Sequence, residues 1–182
     1  MTYILAETHH ASYLTDLQLD RGAFRGERVA DIGSGPFPTL LVFEGCERYG
    51  IDHLMNRYGE IGFPLARYGA EQHFINAKSE NIPLEDNFFD VVLSRNALDH
   101  VDDFETTCCE LRRVLKPEGM LHLLLNYHLP TRSETQELSD ERVLDTLGSL
   151  DIRKVSEQRN AWGFDGGTTV LWSTHPERIV AG

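Results

Sequence analysis

The sequence is poor in basic residues and in cysteines, and each shortage argues against a class of protein. Among 182 residues, 17 are Lys or Arg and 29 are Asp or Glu, so the formal net charge is -12. Because a nucleic-acid backbone is bound by a basic surface, this balance argues against a nucleic-acid partner, and equally against an anionic membrane surface. The chain has 3 cysteines, two of them adjacent, which do not make a disulfide framework.

Long apolar runs are also missing. No segment approaches the ~18–20 consecutive apolar residues that a membrane-spanning helix needs. The first residues, MTYILAETHHASY, lack the basic start and apolar stretch of a signal peptide. Within this segment, His9 and His10 have no cysteine or acidic residue at a useful ligand spacing, so no metal site is predicted. Together these features predict a cytoplasmic, globular protein.

The most informative segment is RVADIGSGP, at residues 28–36. Val29 to Ile32 reads as a buried strand that ends in a glycine turn, and we predict a helix from about Pro38. Glycine lets the backbone approach a ligand closely, and the N–H groups of a helix start favour an anion. Asp52 follows Gly35 by 17 residues, at the end of a second short strand. A carboxylate at that spacing can accept two ribose hydroxyls, so a nucleoside-bearing cofactor is predicted.

Strands and helices alternate along the rest of the chain. The two final strands have no helix between them, which predicts an antiparallel hairpin at one edge of the sheet. We therefore expect an α/β fold with a doubly wound, mostly parallel, seven-stranded sheet of Rossmann-like type. The predicted strands are 28–32, a short strand ending at Asp52, 73–76, 89–94, 120–127, 152–157 and 168–174; the predicted helices are 12–20, 38–48, 54–59, 103–115 and 139–148, with a loop at 59–72.

Four sequence blocks in order resemble class I S-adenosylmethionine-dependent methyltransferases. They are VADIGSGP, GIDH, SENIPLEDNFFDVVLSRNALDHV and ELRRVLKPEGMLHL, from about Arg28 to His128. A nicotinamide-dependent oxidoreductase is a weaker alternative, because its G-x-G-x-x-G turn needs a glycine where Pro38 stands. The resemblance implies one methyltransferase domain over residues 1–182. We expect residues 1–22 to form an N-terminal helical cover, residues 28–128 the cofactor-binding core, and residues 129–182 a C-terminal helix with edge strands.

The resemblance also implies which residues bind S-adenosylmethionine. The glycine turn faces the methionine part of the cofactor, the carboxylate after the second strand binds the ribose, and the next residue lies against the adenine. The end of the fourth strand lines the sulfonium side. The residues so implied are Asp31, Gly33, Ser34, Gly35, Asp52, His53, Ser79, Glu80 and Asn96.

Two positions depart from the family pattern. Lys78 stands where an aspartate often holds the adenine amino group, and Phe37 stands where a third glycine is usual. Phe37 lies between Pro36 and Pro38, so it indicates either a reshaped entry to the following helix or weakened cofactor binding.

The reaction implied is in-line displacement of the sulfonium methyl group by a nucleophile. An oxygen or nitrogen atom of a small-molecule acceptor is the predicted nucleophile. An amine needs little assistance, whereas a hydroxyl benefits from a general base, for which His128 and His100 are the candidates. Alternatives are a catalytically degenerate cofactor-binding or regulatory module, and a protein methyltransferase. The few segments left to form an acceptor pocket favour a compact acceptor or a site completed by a second subunit, as in a homodimer.

Overall fold

The computed structural model describes residues 11–159 and 167–180, which form one seven-stranded sheet flanked by short helices. The strands are β1 (Arg28–Ile32), β2 (Glu47–Asp52), β3 (His73–Asn76), β4 (Phe89–Arg95), β5 (Leu115–Tyr127), β6 (Arg153–Arg159) and β7 (Thr168–Ser173). The helices are α1 (residues 11–17), α2 (Met55–Glu60), α3 (Leu65–Tyr68), α4 (Phe104–Val114) and α5 (Asp140–Leu147). His9 and His10 lie outside the described residues. Within those residues, no helix is long and apolar enough to cross a bilayer.

The strand order is β3-β2-β1-β4-β5-β7-β6. The first five strands pair in parallel, and β7 runs antiparallel to both β5 and β6. The predicted mostly parallel sheet with an antiparallel C-terminal edge is therefore confirmed. Chain order reverses between β1 and β4, and such a reversal leaves a crevice beyond the carboxyl ends of the strands where ligands bind.

The two faces of the sheet are covered differently. One face packs against α4 and α5, whose N-caps are Asp103 and Ser139 and whose buried faces supply Phe104, Leu111 and Val143. The other face is covered by residues 13–24 and by the segment after β1, with fully buried rings such as Phe24 and Phe43. Residues 13–24, which are called the N-terminal cover from here on, therefore take a place that a crossover helix fills in an ordinary doubly wound sheet.

The C-terminal residues also lie against this N-terminal cover. The Val180 N–H donates to the Gln18 carbonyl at 3.0 Å. The Arg178 guanidinium donates to the Ala23 carbonyl at 2.6 Å and to Glu27 at 2.8 Å. The two ends of the described chain therefore meet on one face of the sheet.

The predicted helix at 38–48 is wrong. A single 3-10 turn, Thr39–Val42, occupies this crossover, and β2 begins at Glu47. Two prolines precede the turn, and each disfavours helical backbone in the residue before it. Gly45 then adopts a left-handed conformation, with φ +67, two residues before β2 begins. The segment between these breaks is too short for a helix, so the cofactor site gains no helix N-terminus here.

Other boundaries differ by a few residues. The loop predicted at 59–72 contains the end of α2 and the one-turn helix α3. Strand β5 starts at Leu115, before the predicted 120, and its pairing with β4 is interrupted by an irregularity at Lys116 to Gly119. The remaining predicted strands and helices correspond to elements of the structure.

Candidate active site

A cavity of about 380 Å³ opens at the carboxyl ends of β1 to β4, at the place where strand order reverses. Eight of the predicted residues line it: Gly33, Gly35, Asp52, His53, Ser79, Glu80, Asn96 and His100. Three predicted residues, Asp31, Ser34 and His128, are not among its lining residues. The structure thus brings together residues from three of the four sequence blocks, and the fourth block contributes none of the residues that line the cavity.

The two glycines of the turn have different surroundings. Both have positive φ, +71 at Gly33 and +62 at Gly35. A Cβ added at Gly33 would overlap the Cβ of Ala97, at a separation that real Cβ contacts do not reach, whereas a Cβ at Gly35 would meet nothing within 4 Å. Gly33 therefore allows the turn to pack against the segment after β4, and Gly35 leaves space beside the cavity.

Asp52 connects the glycine turn to the end of β2. Its carboxylate is 8% exposed and accepts the Gly35 N–H at 3.0 Å on one oxygen and the Leu54 N–H at 2.8 Å on the other. Each carboxylate oxygen offers two lone pairs, so each retains capacity for a ligand hydroxyl. Burial and the neighbouring Asp52 raise the pKa of the Tyr58 hydroxyl, which lines the same cavity.

The opposite wall is built from the segment after β3 and the loop before α4. Lys78 forms an ion pair with Asp102 across this wall. Glu80 accepts the backbone N–H groups of Asp102 at 2.8 Å and Asp103 at 3.2 Å. The Ser79 hydroxyl lies 3.2 Å from the Thr107 hydroxyl. Ser79 and Glu80 therefore join the wall to the start of α4, as well as lining the cavity.

Asp31 lies behind the turn. Its carboxylate accepts the Thr39 hydroxyl at 2.7 Å and is 2% exposed. Burial raises the pKa of Asp31 to about 6, although Thr39, Tyr13 and Arg95 each oppose the shift. In this position Asp31 links the turn to the crossover segment. Ser34 is also buried, beside Gly35.

Asn96 has a polar atom without a partner. It adopts a left-handed backbone conformation, φ +54, immediately after β4, and its N–H donates to the Leu124 carbonyl at 2.9 Å. Its Oδ1 atom is buried and has no hydrogen-bond partner among the described residues. Because a buried unpaired carbonyl oxygen is unfavourable, Asn96 is well suited to accept a hydrogen bond from a ligand in the cavity.

The two candidate bases differ in where they lie and in how their ring nitrogens are used. His128 Nε2 lies 3.1 Å from Asp99 Oδ2, and its Nδ1 lies 2.8 Å from the Leu129 carbonyl. Burial alone would lower the pKa of His128, but the hydrogen bonds to Leu129 and Asp99 raise it overall. Two acceptors favour the imidazolium, which has no lone pair with which to remove a proton.

His100, by contrast, lines the cavity. Its Nδ1 donates to the Ser133 carbonyl at 3.1 Å, so in the neutral ring Nδ1 carries the proton and Nε2 carries the lone pair. Nε2 lies 3.9 Å from Asp99 Oδ1, beyond hydrogen-bond distance. His53 also lines the cavity. Its side chain is largely exposed, with Nδ1 3.8 Å from Asp52 Oδ1.

Residues 30–123 match the family model described as "Methyltransferase domain". The chain belongs to this methyltransferase family. It is a methyltransferase whose cofactor is S-adenosylmethionine.

Among its relatives, the chain is 29% identical over 161 residues to a demethylmenaquinone methyltransferase of Staphylococcus haemolyticus, covering 85% of this chain and 67% of the relative. It is 27% identical to a ubiquinone/menaquinone biosynthesis C-methyltransferase of Vibrio cholerae, over 71% of this chain and 53% of the relative. A similar solved structure is the 1,6-didemethyltoxoflavin-N1-methyltransferase of Burkholderia thailandensis with bound S-adenosylhomocysteine. Its TM-score is 0.62 and its identity 16%, covering 92% of this chain and 76% of that one. This likeness shows the fold.

The two departures from the family pattern have packing partners in this methyltransferase. The Phe37 ring meets the Phe63 ring edge-on, with centroids 5.7 Å apart. Phe63 in turn contacts Tyr58, at 5.9 Å, so the three rings form an aromatic edge beside the cavity. Lys78 is held by Asp102. Both substituted side chains are therefore accommodated in the walls around the cavity.

Some lining residues were not predicted as site residues. Tyr58 lies on α2, six residues after Asp52. Its closeness in sequence to the carboxylate predicted to bind the ribose was the one indication that it could line the cavity. Ala97 belongs to the long third block, in which only Asn96 and His100 were singled out after β4, and Asp102 follows that block directly. Contacts between distant segments of one wall, such as the pair of Lys78 with Asp102, leave no local pattern in the sequence.

Proposed function

We propose that this methyltransferase transfers the methyl group of S-adenosylmethionine to a small-molecule acceptor in the cytoplasm. The observation that carries the proposal is the cavity, in which a glycine turn, a buried carboxylate and an unpartnered amide meet at the switch point of the sheet. Such a cavity fits a nucleoside-bearing ligand. The names of the similar proteins, which refer to quinones and to a toxoflavin precursor, support a small organic acceptor.

The cofactor is proposed to lie with its ribose at Asp52 and its methionine part along Gly33 and Gly35. Asp52 retains lone pairs for the two hydroxyls of the ribose, while its existing hydrogen bonds hold the carboxylate in place. Asn96 then lies toward the sulfonium side. Since the sulfonium is already activated, orientation and exclusion of water are what the protein supplies.

The acceptor is proposed to approach from the side of the N-terminal cover. Arg95, at the end of β4, pairs with Asp16 of α1, with Nε 2.9 Å from the carboxylate and side-chain exposures of 16% and 29%. Asn126, at the end of β5, accepts the Thr169 hydroxyl at 3.0 Å, and its Nδ2 has no hydrogen-bond partner among the described residues. Arg95 and Asn126 lie at the carboxyl ends of the neighbouring strands β4 and β5, outside the lining of the cavity, and are proposed to give the acceptor its orienting contacts.

An oxygen or nitrogen atom is the predicted nucleophile. For a hydroxyl acceptor, His100 is the favoured base, because it lines the cavity and presents Nε2 with a lone pair. The Vibrio cholerae relative is named as a C-methyltransferase, so an activated carbon is the alternative that the comparisons favour. The product regiochemistry with a hydroxylated quinone-type substrate distinguishes these two outcomes.

The test of cofactor binding is calorimetry with S-adenosylhomocysteine. Asp52→Asn removes the charge that the ribose hydroxyls are proposed to meet. Because hydrogen bonds to charged groups contribute about 1.5–3 kcal/mol, the dissociation constant should rise about 10–150-fold. Asp145→Asn is the matched control, since Asp145 is exposed and lies on α5, away from the cavity, and it should bind like the wild type. Equal affinity of Asp52→Asn and the control would contradict the proposed ribose site.

Two further tests separate the alternatives. A degenerate regulatory module would bind S-adenosylhomocysteine but transfer no methyl group to any small molecule or protein offered. A protein methyltransferase would label a protein substrate in preference to small acceptors. The homodimer stays a prediction, which light scattering of the full chain checks directly.

A further inference from the structure

The carboxylate of Asp99 has one oxygen with a hydrogen-bond partner and one oxygen without such a partner among the described residues. Asp99 follows β4 by four residues and is 1% exposed. Its Oδ2 pairs with His128, whereas its Oδ1 is buried and has no hydrogen-bond partner among the described residues. A buried carboxylate oxygen without a hydrogen-bond donor is unfavourable, so a hydrogen-bond donor or a cation is expected at this atom.

Two other ligand-type groups face the same point. His100 Nε2 lies 3.9 Å from Asp99 Oδ1. The Glu134 carboxylate completes a set in which one donor atom from each of the three residues lies within 4.8 Å of the others. Glu134 comes from the segment after β5, so the three donors are brought together by two separate loops.

In the neutral His100 ring, the proton lies on the nitrogen that faces away from Asp99. Its Nδ1 donates to the Ser133 carbonyl at 3.1 Å, which leaves the lone pair on Nε2, the atom facing Asp99. Metal-binding histidines usually donate their other ring N–H to a carbonyl or carboxylate in this way. The Asp99 carboxylate is likewise held from behind by His128.

Hydrogen bonds join the two segments that carry the donors. The Gln136 N–H donates to the Asp99 carbonyl at 3.1 Å, and its side-chain amide donates to the carbonyls of Val101 and Asp102, each at 3.1 Å. The loop after β4 and the segment 131–136 are therefore held against each other whether or not a ligand is bound. This arrangement lowers the entropic cost of collecting the three donors.

We propose that Asp99, His100 and Glu134 bind a divalent transition-metal ion of the Zn²⁺ type. One imidazole nitrogen with two carboxylates suits such an ion better than Mg²⁺ or Ca²⁺, which prefer oxygen donors alone. Tetrahedral ligands at ~2.0–2.2 Å from zinc lie about 3.3–3.6 Å apart, so the donors close inward by up to about 1 Å. The half-exposed His100 and Glu134 have room to do so. The site goes beyond methyl transfer, and it revises the prediction of no metal site, which considered His9 and His10 alone.

His100 lines the cavity and is also one of the three proposed ligands, so a bound ion would affect the cavity through this residue. Three protein donors leave at least one coordination position of the ion open, as in zinc sites that bind water or a substrate oxygen. With its lone pair on the metal, His100 would no longer serve as a base. Metal binding and proton removal by His100 are therefore mutually exclusive.

The experiment measures Zn²⁺ binding to the full chain by calorimetry after treatment with a chelator. We expect one site that is weakened at least about tenfold by Glu134→Gln and by His100→Ala, since each change removes a ligand. Glu137→Gln and His73→Ala are the matched controls. They alter an exposed carboxylate in the same segment and an exposed histidine on β3, and they should bind like the wild type.

Anomalous diffraction at the zinc edge from a Zn²⁺-soaked crystal fixes the position of the ion. The proposal requires a peak between the three donors, and circular dichroism must show that the variants remain folded. A peak confined to other histidines would overturn the assignment. So would wild-type affinity in both ligand variants, or the absence of any binding stronger than that of Mg²⁺.

Discussion

Replacing Gly33 with alanine should lower the free energy of unfolding more than the same change at Gly35. Both residues have positive φ, so each alanine variant carries the backbone cost of a left-handed conformation, about 1–2 kcal/mol. Only at Gly33 does the new Cβ overlap another atom, the Cβ of Ala97. Overpacking of this kind adds about 1–3 kcal/mol. The expected destabilisation is therefore about 2–5 kcal/mol for Gly33→Ala, against about 1–2 kcal/mol for Gly35→Ala.

The assay is urea unfolding, with and without S-adenosylhomocysteine. In a Gly33→Ala background, Ala97→Gly removes the opposing methyl group and should recover most of the stability lost to overpacking. The double-mutant cycle should therefore give a favourable coupling of about 1–3 kcal/mol. Gly35→Ala should instead lose stabilisation by the ligand, because its Cβ points toward open space beside the cavity. If Gly33→Ala and Gly35→Ala are equally stable, or if the coupling with Ala97→Gly is zero, the close approach of the turn to the β4 loop is refuted.

Three further predictions concern buried groups elsewhere in the molecule. Burial lowers the pKa of His122 to about 4 from its ordinary 6.5, so only the unfolded chain binds this proton between those values. The contribution of His122 to the free energy of unfolding is therefore fully present above pH 6.5, and about 3 kcal/mol of it is lost as the pH drops to 4. In urea titrations His122→Gln should lack this part of the pH dependence; an unchanged slope would contradict it. Iodoacetamide should label the exposed Cys109 in the native protein but Cys108, whose thiol pKa is raised by burial, only after unfolding. Arg95→Met should cost about 1–3 kcal/mol by leaving Asp16 unpaired, and should speed limited proteolysis within residues 11–24; equal cleavage rates would show that the pair does not hold the cover.

Most of the sheet could be predicted from the sequence because its strands are buried and apolar. The run at 89–94 reads as a buried strand and the near-continuously apolar run at 120–127 reads as a central strand, and the two pair side by side in the structure. The antiparallel edge followed from the missing helix between the last two strands. In these cases the local pattern and the tertiary environment favour the same conformation.

The crossover after β1 could not be predicted in this way. Leu40, Leu41 and Phe43 have helix-like spacing, but prolines before them and Gly45 after them leave space for one turn only. Leu40 and Phe43 are buried in the same core cluster as the N-terminal cover, which no local pattern reveals, whereas Leu41 is partly exposed. Here tertiary packing accounts for a spacing that we assigned to a helix.

The candidate site was predictable as a set of segments but not as a set of contacts. The glycine turn and Asp52 lie where their motifs placed them, around the cavity. Which way a side chain points from a turn is not encoded by spacing, and Asp31 therefore lies behind the turn, bonded to Thr39. The pairing of Asp99 with His128 joins residues 29 positions apart, so the sequence identified both histidines but not their different surroundings.

The meeting of the two chain ends on one face has a consequence for how the protein is made. Arg178 contacts Ala23 and Glu27 across 155 and 151 residues, and Leu171 of β7 belongs to the same core cluster as Tyr13 and Phe24. Such distant contacts are the slowest to form, since the chain between them must be ordered first. On the ribosome, the N-terminal cover emerges before β7 and lacks these partners until β7 has been synthesised. We therefore expect the nascent chain to carry an exposed apolar segment at residues 13–24 until β7 emerges, and a chaperone that binds apolar segments would have its longest opportunity to act there.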